Sequence, residues 1–169
     1  MALFGSSRDI SLFRHINREL LWDIVTQQCA VYKLKIKETI INIYGEASKE
    51  RYYNEPVLLN SLIERGDKLN PTGDMGVNFS REMTFKFFRD DLVDANMVPE
   101  VGDIILYEES YFEIDSVNDN QLFVGKDPQY PYENNPLNPG LGEFGTNLSI
   151  ICKAHYTPAD RVAISKERI

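Results

Sequence analysis

The sequence predicts a mainly β protein, a small antiparallel β-barrel or rolled sheet with one N-terminal α-helix packed on it. Three observations lead there. The 169 residues fit a single domain, 1–169, large enough to bury roughly 70% of the surface its unfolded form would expose. One stretch alone carries sustained helical periodicity. About seven short segments follow it, several alternating with period two and separated by polar or Gly- and Pro-containing links.

The helix is expected over 9–28, DISLFRHINRELLWDIVTQQ. Phe13, Ile16, Leu20 and Ile24 recur there at spacings of three and four, and Asp9 offers a cap. That apolar stripe requires a sheet or another helix to cover it. Barrel strands are expected within 30–125 and 148–156. In VYKLKIK, Tyr32, Leu34 and Ile36 alternate with Lys33, Lys35 and Lys37, the pattern of a half-buried strand. The apolar TIINIYG stops at Gly45, and 46–56 reads as a polar loop. VLLNSLIE, 57–64, reads as a strand because Pro56 and Gly66 bracket it closely. GDKLNPTGDMG, 66–76, reads as a loop.

EMTFKFF, 82–88, sets Met83, Phe85 and Phe87 on one face. RDDLVDANM then makes one or two helical turns, capped by Asp90 or Asp91 and ended before Pro99. DIILYE, SYFEIDSV and QLFVGK read as three strands on the short polar links Glu109-Ser110 and Asn118-Asp119-Asn120, an antiparallel meander. Residues 126–147 form a long loop rich in Pro, Tyr and Asn that holds four of the eight prolines. A loop of that length inside a compact domain is usually functional or disordered. LSIICKAHY, 148–156, closes the sheet with Leu148, Ile150, Cys152 and Ala154 on one face. The tail ADRVAISKERI shows no partner in the pattern.

Composition narrows the function. No apolar run approaches 18 residues, so no transmembrane helix and no membrane partner is expected. Met1 to Ser7 lacks the basic and apolar regions of a secretory signal. Cys29 and Cys152 have no CxxC spacing and lie in apolar surroundings, so they read as buried free thiols. The formal net charge of −8, from 26 acidic and 18 basic residues, argues against a dedicated nucleic-acid binder. Such a surface is compatible with DNA that slides past without sticking.

Catalytic and cofactor motifs are not found. His15 and His155 form no HExxH or HxH pair, and two histidines with two scattered cysteines make a poor zinc set. DSVNDNQLFVGKD puts Val and Asn where a calcium loop needs a ligand and a glycine. GLGEFG, 140–145, precedes a strand, the wrong context for a dinucleotide site. Asp90-Asp91 and Glu108-Glu109 read as a helix cap and a solvated turn. The expectation is a protein that is no enzyme, with no cofactor and no metal. The remaining signal is loop aromatics: Tyr52, Tyr53, Tyr130, Tyr132 and Phe144 are candidate protein-interface residues. The competing reading packs them over the domain's own sheet edge.

The stretch VPEVGDIILYEESYFEIDSVNDNQLF resembles the central strands of the neck, or head-completion, proteins of T-even-type contractile-tailed bacteriophages. Pro99, Gly102-Asp103 and Phe112-Glu113-Ile114 carry the likeness, and the order of elements over 30–125 extends it. The resemblance implies a structural virion protein, assembled in the host cytoplasm. It would form a homo-oligomeric, usually hexameric, ring in the neck at the head–tail junction. The implied partners are the portal or its adaptor, a second neck protein and the tail-terminator ring, with genomic double-stranded DNA in passing contact. The chain is shorter than the T-even proteins and is expected to lack the contacts of their extended C-terminal region. Two alternatives are a tail-terminator-type ring subunit and a small-barrel nucleic-acid-binding module with aromatic stacking platforms.

Overall fold

The computed structural model describes residues 7–35, 51–69, 72–73, 76–77, 80–124, 146–162 and 164. Helix α1 (Ser7–Glu19) continues as a π-helical segment, Leu20–Val25. Among the described residues eight strands follow in chain order: β1 (Gln28–Tyr32), β2 (Val57–Leu69), β3 (Thr72–Gly73), β4 (Gly76–Val77), β5 (Ser80–Phe88), β6 (Ile104–Tyr107), β7 (Ser110–Val124) and β8 (Thr146–Thr157). Helix α2 (Arg89–Asp94) lies between β5 and β6. Six strands close into an antiparallel barrel in the order β1-β2-β5-β8-β7-β6, while β3 and β4 pair separately. The mainly β barrel with an N-terminal helix is therefore present.

Alternation places the core. Met83, Phe85 and Phe87 of β5 point inward with Ile150, Cys152 and Ala154 of β8 and Phe112 and Ile114 of β7. Phe85 is the hub, stacked on Phe87 at 6.5 Å and edge-on to Phe112 at 5.8 Å between ring centroids. At the end of the barrel where β5 stops, α2 and the segment after it supply Leu92 and Met97 to the same core.

Several elements depart from expectation for identifiable reasons. The helix does not run to residue 28. Thr26 adopts φ 48° and its N–H bonds Leu21 O five residues back, which ends the helix and lets β1 start at Gln28. Asp9 lies inside α1 rather than capping it. β1 shows no alternation, because Cys29 and Val31 face the barrel interior while Ala30 and Tyr32 face a second cluster with Ile104, Tyr111 and Val162. The tail thus does have a partner: a short 3-10 turn, Ala159–Arg161, delivers Val162 onto the outside of the barrel.

β2 continues through Leu69 into the region expected to be loop. Gly66 makes its bulge possible, since a Cβ there would lie 2.4 Å from Glu82 O. Residues 110–124 form one strand, not two. The polar Asn118-Asp119-Asn120 absorbs a register shift against β8 instead of reversing the chain, and β8 itself is the third strand of the meander. The hairpin before it turns at Glu108-Glu109, both at positive φ (46° and 63°), as a two-residue loop that suits strand twist requires. In α2 the N-cap position is Phe88, and Asp90 and Asp91 occupy the first turn. TIINIYG, residues 126–145 of the long loop and most of the tail lie outside the described residues, while Thr146 and Asn147, expected in the loop, begin β8.

Barrel closure centres on Asp103. Its carboxylate is 1% exposed. It accepts the Leu34 N–H at 2.9 Å, the Glu100 N–H at 2.8 Å and Lys33 Nζ at 3.1 Å. Its backbone accepts the Ile114 N–H at 2.9 Å, and Gly102, at φ +92°, donates to Ile114 O at 3.0 Å. Asp103→Ala leaves the part-buried Leu34 and Glu100 N–H groups without their acceptor and is expected to lower stability by about 2 kcal/mol, read from the urea midpoint at constant m-value. A second prediction concerns the thiols. Burial pushes Cys29 up to about 11 and Cys152 to about 12, from an ordinary 9.0. The folded state holds these protons more tightly than the unfolded one. The contribution is therefore whole below pH 9 and lost as pH rises through 11 to 12. Urea midpoints should fall over that window, and both thiols should resist a thiol reagent at pH 8 until the protein unfolds.

Candidate interaction surface

Attachment of α1 to the barrel is largely polar. Arg14 Nη2 meets Asp90 Oδ1 at 2.8 Å and Arg18 Nη2 meets Asp94 Oδ2 at 3.0 Å, joining α1 to α2. Trp22 Nε1 donates to Asp91 Oδ2 at 2.9 Å, and the Arg18 guanidinium lies 5.7 Å from the Trp22 ring centre. Asp91 is buried beneath this lattice, with Arg18 3.6 Å from its other oxygen. Burial pushes the Asp90 carboxyl above its ordinary value, against the pull of Arg14 and Arg18. Among the described residues of this segment Leu21 is the buried apolar side chain, where the π-helical segment meets β2.

Because Arg14, Arg18 and Trp22 take the side facing α2, the apolar stripe stays out of the core. Leu12, Phe13, Ile16, Leu20 and Ile24 are 40 to 71% exposed. Phe13 and Leu20 of the stripe border a trough of about 440 Å³ against β2, β5 and β8, whose lining includes Leu62, Lys86, Phe88 and Leu148. Among the described residues no carboxylate lines this trough, although Glu64 pairs at 2.9 Å with Lys86 on its wall. Its apolar lining can accept apolar side chains of another protein surface.

The loop aromatics are placed unevenly. Tyr52 is exposed, on the segment that forms a bridge between Leu34 and Tyr53. Tyr53 is half-buried against the second cluster and hydrogen-bonds Arg51, which also pairs with Glu113 of β7. Desolvation raises its phenol pKa. Tyr130, Tyr132 and Phe144 lie outside the described residues, so the structure does not bring the five together. The spacing of Phe13, Ile16, Leu20 and Ile24 marks the stripe in sequence. That it stays uncovered depends on the distant partners Asp90, Asp91 and Asp94, which no local pattern reveals. Among the described residues no cluster of three or more His, Cys, Asp or Glu could hold a metal ion, and no helix is long and apolar enough to cross a membrane.

Comparison with protein-family models finds no match, and no curated protein sequence is significantly similar.

The polar attachment is directly testable. Asp91→Ala removes the acceptor of Trp22 and a neighbour of Arg18. Stability should drop by about 1–2 kcal/mol, with faster tryptic cleavage after Arg14 and Arg18 and a red-shifted Trp22 emission. Far-UV circular dichroism should retain its strand signal, because the barrel does not depend on this contact.

Proposed function

We propose that this chain is a structural subunit of a bacteriophage neck, one copy in a ring that closes the DNA-filled head and presents a surface for the tail. The observation that carries this reading is the role of the residues on which the resemblance rests. Gly102 and Asp103 form the corner that closes the barrel, and Phe112 and Ile114 fill its core. The motif is thus a coherent structural unit rather than scattered identities. A rigid barrel carrying an uncovered apolar face suits a subunit that meets neighbours. The balance of −8 suits a channel through which DNA must pass without adhering.

The test is a cryo-EM reconstruction of intact particles focused on the head–tail joint, with mass spectrometry of the purified particles. A ring of barrels between portal and tail is the expected result. Absence of the chain from purified particles overturns the proposal. Density distal to the joint assigns it to a tail-terminator ring instead.

A further inference from the structure

We infer that the cleft between Trp22, β2 and α2 binds the head of one alkyl cation, a guanidinium or primary ammonium such as ends an arginine or lysine side chain. This site stands independently of the ring reading above. It is defined by two buried oxygen acceptors, one from β2 and one from α2, that line the same space.

The cleft measures about 230 Å³, and its lining includes Trp22, Leu58, Asn60, Asp91, Asp94 and Ala95. Alternation along β2 puts Asn60 on the outer wall with Leu58 and Leu62, which are 58 and 43% exposed. Asn60 itself is only 7% exposed, since both the π-helical segment and α2 contact β2. Among the described residues its Oδ1 receives no hydrogen bond, and neither does Asp91 Oδ1. The other oxygen of Asp91, which is 6% exposed, is taken by the Trp22 indole. A buried oxygen without a donor is unfavourable. Two of them lining one cleft favour a ligand that brings several N–H groups.

Charge selects among such ligands. Arg18 is the cation on the described lining, and it is drawn to Asp94 at 3.0 Å. It stays 3.6 Å from Asp91 Oδ1, beyond hydrogen-bond reach. The next guanidinium on α1, Arg14, is committed to Asp90. Two carboxylates against one guanidinium leave the lining one negative charge in excess. A cation with N–H donors answers that charge and both acceptors together, through charge-assisted hydrogen bonds. A metal ion suits the site poorly: among the described residues no group of three or more His, Cys, Asp or Glu could hold one. Leu58, Ala95 and the half-exposed Trp22 offer apolar contact to an alkyl stem. The volume is several times the ~30 Å³ share of one water, and it suits one long side chain.

Trp22 is the chain's single tryptophan, so its emission reports on this cleft. The whole chain is titrated at constant ionic strength with n-butylguanidinium and with n-butylammonium chloride. A saturable change with a Kd on the order of 1 mM is expected for at least one of them. Uncharged n-butylurea should give none, and neither should tetramethylammonium, which has charge but no N–H. Asn60→Leu removes one acceptor and should raise the Kd at least about tenfold, by roughly one acceptor's share of the binding. Its urea midpoint should hold or rise, because the lost oxygen has no donor to lose. If that midpoint falls, Asn60→Ala, which leaves the cleft open, repeats the test. A blocked Gly-Arg-Gly peptide separates the sources. Saturation by the peptide assigns the site to a side chain of another protein, and saturation by the small cations alone assigns it to a free alkyl cation. No saturable change by about 10 mM of either cation overturns the proposal and leaves a solvent-filled cleft. An equal response to tetramethylammonium overturns it too, as does undiminished binding in both Asn60 variants.

Discussion

Burying a carboxylate is unfavourable unless its oxygens are matched by donors, and Asp103 is the place where this chain meets that condition. Its three donors come from two separate parts of the sequence. Leu34 and Lys33 lie just past β1, and Glu100 lies in the crossover from α2. Satisfying one buried charge therefore fixes where β1 ends, where β6 begins and how the crossover bends. With those set, β1 and β6 pair from Tyr32 and Ile104 onward and the barrel shuts. The aromatic core around Phe85 contributes most of the apolar burial, but apolar burial is non-directional. Direction comes from the hydrogen bonds at this corner.

A different division of labour governs the N-terminal helix. Ordinarily an amphipathic helix binds its domain through the apolar stripe and shows water its charges. Here the charged side faces inward, onto Asp90, Asp91 and Asp94, and the stripe is left beside the barrel wall. Exposed ion pairs each contribute little, yet the Trp22 indole and buried Leu21 add to them at the same junction. The helix can thus be held without using the surface that contact with another molecule would require.

Legibility in the sequence followed the range of the forces involved. Period-two alternation found β5 and β8, because each has one face in the core and the pattern is local. It misjudged β1, whose Ala30 and Tyr32 are covered by Ile104, Tyr111 and Val162, distant in sequence. The polar run Asn118-Asp119-Asn120 looked like a reversal because turns and bulges draw on the same residues; only the pairing of β7 with β8 separates the two. The helix stripe was visible, but its exposure was not. Tyr53 and Tyr52, neighbours in sequence, divide between a half-buried and an exposed setting because the bridge to Leu34 turns one toward the barrel.

The widened last turn of the N-terminal helix has a consequence for how the chain tolerates change. A π-helical segment holds about one residue more than the α-helical turn it replaces. Deleting any single residue of Leu20–Val25 would let the helix run on with regular geometry, and a local survey would rate it improved. Everything before the deletion would then rotate by about 100° relative to the barrel. Arg14 and Arg18 would swing off the acidic helix and the apolar stripe would leave the wall. The irregular turn is the phase setting of the helix, and length there matters more than composition.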